Sequence, residues 1–119
     1  MSAVPSVFDR PVFARARKRC LAFPETLEKT SWGHPNFRAG KKTFCAFEMI
    51  AGRPSIAFRL PAADVKGALR SSRFFETPYG RGRWVSVWVD AAPWSAFDRL
   101  FEGSYRAVAT KGMLKQLED

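Results

Sequence analysis

Thr43-Phe44-Cys45-Ala46-Phe47-Glu48-Met49-Ile50 is apolar at both alternating positions and carries one charge, Glu48. A strand of this kind is covered on both faces, which places it at the centre of a sheet. Turn residues bound it on either side: Gly40-Lys41-Lys42 before, Ala51-Gly52-Arg53-Pro54 after. Beyond the second turn, Ile56 and Phe58 alternate with Ala57 and Arg59, the pattern of a half-buried strand. Upstream, Thr26–Trp32 and Asn36–Ala39 read as short extended runs around a Gly33-His34-Pro35 turn. Connections this short leave no room for crossovers, so the sheet is expected to be antiparallel.

Helices flank this meander. Asp9 is a natural N-cap for a first helix with Pro11 in its first turn. Val12, Phe13, Ala16, Cys20 and Phe23 fall within an arc of about 100°. Arg10, Arg15, Arg17, Lys18 and Arg19 cover the rest of the circumference, facing solvent or phosphate, and Pro24 ends the helix. A short helix runs from Pro61 to about Arg70. An irregular segment follows with Phe74, Phe75 and Tyr79, then the turn Gly80-Arg81-Gly82-Arg83 and a strand from Trp84 to Val89. Pro93 opens the last long helix, whose Trp94, Phe97, Leu100, Phe101, Tyr105 and Val108 share one face. Met113, Leu114 and Leu117 suit a short terminal turn. The expected fold is α+β: a single domain over residues 1–119, with one antiparallel sheet of at least four strands and both long helices on one face.

The composition excludes several classes. Hydrophobic residues at 46 % and aromatics at 14 % supply a packed core, which a disordered chain lacks. No apolar run is longer than Phe44–Phe47, so no membrane span is expected. Cys20 and Cys45 are too few for a disulfide framework, and their spacing leaves their proximity open. No secretory-signal pattern is apparent, and a reducing cytoplasm is the expected setting. Twenty Lys and Arg against eleven Asp and Glu leave a net charge of +9, which favours polyanionic partners without conferring specificity.

Motifs for chemistry are sparse. His34 is the only histidine, and with two distant cysteines it falls short of a zinc ligand set. A hydroxyl–imidazole–acid relay needs Ser31 and an oriented carboxylate beside His34, and the spacing signals neither. Gly80-Arg81-Gly82 precedes a strand, not the helix that a phosphate loop requires. No metal, cofactor or enzymatic activity is expected. What remains is a set of basic turns with aromatic neighbours: Lys41-Lys42 near Phe37-Arg38, Arg53 in the next turn, and Arg81 and Arg83 between Tyr79 and Trp84.

Longer stretches carry a resemblance. Cys20-Leu21-Ala22-Phe23-Pro24-Glu25-Thr26, Thr30-Ser31-Trp32-Gly33-His34-Pro35-Asn36-Phe37-Arg38, Gly40-Lys41-Lys42-Thr43-Phe44-Cys45-Ala46 and Ser104-Tyr105-Arg106-Ala107-Val108-Ala109 are similar to the MmcQ/YjbR family. The likeness extends from about Arg15 to Leu117. It implies a CyaY-like fold and a double-wing DNA-binding arrangement. The acidic ridge of iron-handling CyaY-like proteins has no counterpart in this basic chain, so iron binding does not carry over.

The functional expectation is a non-enzymatic nucleic-acid-binding protein, duplex DNA being the partner, with no membrane. Arg38, Lys41, Lys42, Arg81 and Arg83 are the expected phosphate contacts, with Ser31, His34 and Asn36 hydrogen-bonding to bases or backbone. The alternative is a small-molecule or peptide binding module with a polar cleft near His34, Tyr79 and Tyr105. Basic side chains converging on one face favour the first; a polar pocket with dispersed charge favours the second.

Overall fold

The computed structural model describes residues 8, 10–31, 33–78 and 82–118, and the Thr43–Ile50 stretch lies near the middle of its sheet. In chain order the elements are α1 (Pro11–Leu21), β1 (Thr26–Ser31), β2 (His34–Ala39), β3 (Lys42–Ile50), β4 (Arg53–Arg59), α2 (Ala62–Leu69), β5 (Phe74–Glu76), β6 (Trp84–Trp88), α3 (Trp94–Val108) and α4 (Lys111–Glu118). Six strands form one antiparallel sheet in the order β1-β2-β3-β4-β6-β5. Only the β5–β6 end departs from a simple meander.

Register assigns the faces, because directly paired residues point the same way. Phe37 pairs with Cys45, Cys45 with Phe58, Phe47 with Ile56, Ile56 with Val87 and Phe58 with Val85. These residues are buried against Phe13, Ala16 and Cys20 of α1 and Phe97, Phe101 and Tyr105 of α3. Both long helices therefore cover one face, as the two apolar stripes require. Phe13 lies 4.8 Å from Phe47, and Phe58 lies 5.2 Å from Phe101, ring centre to ring centre. Each fully buried phenylalanine contributes roughly 1.5–3 kcal/mol.

A bulge interrupts the β2–β3 ladder. Phe37 pairs with Cys45 but Arg38 with Thr43, so Phe44 has no opposite number. Consecutive Phe44 and Cys45 are both buried, Phe44 with its ring 5.6 Å from Tyr105. The extra residue also returns Thr43 to the other face beside Arg38, which matters below.

Four local features differ from the sequence reading. The first helix ends at Leu21, before Pro24, since the residue preceding a proline avoids helical geometry; Asp9 lies outside the described residues, and the N-cap position is Arg10. His34 and Pro35 belong to a strand, because Gly33 at φ +79° supplies the turn and Ser31 pairs directly with His34. Proline is tolerated at the start of a strand. Phe74–Glu76 is an edge strand, with Phe75 stacked 4.4 Å from Trp88. Residues 111–118 form a full helix, α4, where a short turn is expected.

The arginines of α1 are largely engaged within the molecule. Arg17 meets Glu28 at 2.8 Å, Arg19 meets Asp98 at 2.6 Å, and Arg15 lies 4.1 Å over the Trp94 ring. Cys20 and Cys45 are free, buried neighbours; burial and the adjacent Cys20 thiol push the Cys45 thiol well up.

Candidate functional site

On the face away from α1 and α3 the same register lays out three rows of side chains. One row, near the β2–β3 turn, holds Leu27, Arg38 and Thr43, then Arg59 paired with Trp84. The middle row runs Lys29, Asn36, Ala46, Ala57, Ser86. The third holds Ser31 paired with His34, then Glu48 paired with Ser55, and Trp88. At the β5–β6 side Phe75 stacks on Trp88, and the Thr77 and Ser86 hydroxyls meet at 2.8 Å. The rest of the face is a cleft of about 570 Å³ lined by Ser31, His34, Asn36, Arg38, Thr43, Ala46, Glu48, Ala57 and Trp84. That volume lies within the range of roughly 300–1,000 Å³ typical of ligand sites.

Small residues make the cleft. Ala46 and Ala57 pair at its floor, so the sheet there carries methyl groups where its neighbours carry long side chains. Around the floor stand groups whose hydrogen-bonding capacity is unspent. Asn36 is only 7 % exposed, and its Oδ1 has no hydrogen-bond partner among the described residues. His34 Nδ1 and Arg38 Nε are likewise buried without one. Buried polar atoms are ordinarily satisfied, so three around one cavity indicate places for a ligand or water.

Glu48 is 2 % exposed, and burial raises its carboxyl from 4.5 to about 7. Near neutral pH it therefore presents both an acid that donates and a carboxylate that accepts. Ser31, His34 and Glu48 share a row, yet no hydrogen bond between described residues joins them in a relay, and the His34 ring packs edge-on to Phe8 at 5.6 Å. Among the described residues no group of three or more His, Cys, Asp or Glu could hold a metal ion. No helix among them is long and apolar enough to cross a membrane.

The fold sorts the expected residues into three groups. Ser31, His34, Asn36 and Arg38 converge in the cleft. Lys41, Lys42 and Arg83 are exposed beyond its Arg38 end: Lys41 and Lys42 where β2 turns into β3, Lys42 pairing with core residue Ala39 and so lying on the helix side, and Arg83 where its carbonyl accepts from the Leu60 amide at 2.8 Å. Arg59 closes the same end, at the terminus of β4. Arg81 and Tyr79 lie outside the described residues. Tyr105 does not line the cleft: α3 carries it to the opposite face, where its ring stacks 4.6 Å from Phe23 and its hydroxyl donates to the Pro24 carbonyl at 2.8 Å. Its apolar ring is what the helix stripe buries. Arg53 is held at the far end by Asp90 at 2.7 Å and by the Trp88 ring.

Glu48, Thr43, Ala46, Ala57 and Arg59 join the site without having been singled out as functional. Glu48 did leave a signal, as the only charge in an otherwise apolar central strand. The alanines left none, since a small residue in a strand reads as ordinary packing.

The family model described as YjbR matches residues 21–107. Among solved structures, a Pseudomonas syringae protein determined as a structural-genomics target is 12 % identical with a TM-score of 0.69, the match covering 80 % of this chain and 97 % of that one. A Deinococcus radiodurans protein with a DUF419 domain is 18 % identical with a TM-score of 0.67, over 88 % of this chain and 86 % of that one. At these identities the likeness is one of fold. No curated protein matches the chain.

Proposed function

The chain belongs to the YjbR family, and from that footing we propose that it is a non-enzymatic nucleic-acid-binding protein, taking duplex DNA among its ligands, which grips phosphates at the Arg38 end of the sheet face away from α1 and α3. The observation that carries this reading is the grouping of five cations around one end of the cleft. Arg15, Arg17 and Arg19 on α1 are occupied by Trp94, Glu28, Asp98 and Glu102, and Arg53 by Asp90. Arg38 and Arg59 stand on the cleft face at one end, with Lys41, Lys42 and Arg83 exposed on the adjoining turns. These five form no ion pair with an acid among the described residues, as is also true of exposed cations elsewhere such as Lys66, Arg70, Lys111 and Lys115. Long cationic side chains on turns and strand ends meet backbone oxygens more readily than base edges, so sequence preference is expected to be weak. A second reading, a small polar ligand in the cleft, rests on atoms of Asn36, His34 and Arg38 that have no hydrogen-bond partner among the described residues.

Fluorescence-anisotropy titration against labelled duplex DNA, single-stranded DNA and RNA at several salt concentrations tests the proposal. Binding at low salt that weakens steeply as salt rises is the expected result. Absence of binding to all three at low ionic strength overturns it and leaves the small-ligand reading in front.

A further inference from the structure

We infer that the cleft receives one unpaired base of a bound strand, stacked on Trp84 and read at its edge by Asn36, while the cations at the Arg38 end hold the adjoining phosphates. This rests on the nucleic-acid reading above and adds the part of the ligand that enters the protein.

Three properties of the cavity point to a base. The first is shape: paired Ala46 and Ala57 leave a low floor bounded on the β6 side by Trp84, a flat aromatic wall. Bases stack on such walls largely regardless of identity. The second is unspent hydrogen bonding. Asn36, more than nine-tenths buried, lines the cleft with its Oδ1 unpartnered, and a carboxamide offers both an acceptor and donors to a base edge. His34 Nδ1, also without a hydrogen-bond partner among the described residues, lies on the same strand. The third is position. Arg38 lines the cleft, Arg59 lies in the same row of the sheet face, and Lys41, Lys42 and Arg83 are exposed on the turns just beyond, within reach of phosphates attached to a base in the cleft. A cavity of about 570 Å³ has room for one nucleotide and none for a base pair with both its backbones, so a base that enters it has left its stack and is unpaired.

The test compares strands that differ only in their bases. Labelled twelve-nucleotide DNAs are titrated with the unaltered protein at one fixed salt: a base-bearing single strand, an abasic strand with the same phosphates, and a duplex. Free adenosine monophosphate and thymidine monophosphate serve as competitors. The base-bearing strand is expected to bind about 5- to 100-fold more tightly than the abasic strand, the range given by one stacked base. Ala46→Met, which fills the floor, and Trp84→Leu, which removes the wall, are each expected to erase the difference in affinity between the base-bearing and the abasic strand. Equal affinity for base-bearing and abasic strands in the unaltered protein overturns this inference and leaves phosphate binding standing. Failure of every strand to bind at low salt removes both. Displacement or binding by a free mononucleotide without strand binding also overturns it, and identifies the cleft as a small-ligand site.

Discussion

Glu48 concentrates the tension between folding and function in this chain. Its carboxyl sits in β3, near the middle of the sheet, and is 2 % exposed, and burial raises it from 4.5 to about 7. Between those values the folded protein keeps a proton that the unfolded chain has released. The folded state binds more protons there, so stability falls as pH rises from about 4.5 to 7 and levels off above. Asp90 is lowered from 3.8, chiefly by its hydrogen bond to Arg53, so its own contribution is lost only in more acid solution, outside this window. Thermal denaturation followed by circular dichroism is therefore expected to show Tm declining from pH 5 to pH 8. Glu48→Gln, which cannot ionise, should remove most of that decline and match or exceed the native chain at pH 8. An unchanged slope in the variant would assign the pH dependence elsewhere. At this scale the sequence was half legible: a lone acid in an apolar strand is visible, but the depth of its burial depends on partners such as Ser55 and His34 that only register brings alongside.

Elements were easier to read than the joints between them. Apolar periodicity located β3, β4, β6, α1 and α3, because each must bury a stripe or a face. The joints follow finer physics. Gly33 rather than His34-Pro35 makes the β1–β2 turn, and a single inserted residue, Phe44, sends one ring to the helices and returns Thr43 to the cleft. Neither leaves a periodic trace. β5 escaped notice because three residues are too few to show alternation. One joint is open to a direct test. The Tyr105 hydroxyl reaches from α3 to the Pro24 carbonyl, tying α3 to the segment between α1 and β1. Tyr105→Phe keeps the ring and its stacking on Phe23 but leaves that bond unmade, and should cost about 0.5–1.5 kcal/mol in urea denaturation with little change in the m-value. A neutral substitution would mean that the carbonyl finds water instead. Because Tyr105 lies on the helix side of the sheet, strand binding by the folded variant should be unaltered.

Across the whole molecule, net charge is a poor guide until the pairs are subtracted. The +9 of the sequence suggested a basic α1 face, yet its arginines at 15, 17 and 19 are occupied by an aromatic ring and three acids, while Arg38, Lys41, Lys42, Arg59 and Arg83, which form no ion pair among the described residues, stand around one end of the cleft. That distinction has a measurable consequence. Each cation that neutralises a phosphate releases counterions, so the logarithm of the affinity falls linearly with the logarithm of salt concentration. Engagement of Arg38, Lys41, Lys42, Arg59 and Arg83 gives a slope of roughly −4.5 on duplex DNA and roughly −3.5 on a single strand. Replacing Lys41 and Lys42 together with Ala should flatten the duplex slope by about 2 and weaken binding to all sequences alike. Arg17→Ala should leave the slope where it is, since Arg17 is engaged with Glu28 across 2.8 Å and faces the helix side. Anisotropy titrations between low and moderate salt separate these outcomes. A slope changed by Arg17→Ala but not by the lysine pair would move the phosphate contacts from the cleft end to the α1 surface, and with them the strand whose base the cleft is proposed to hold.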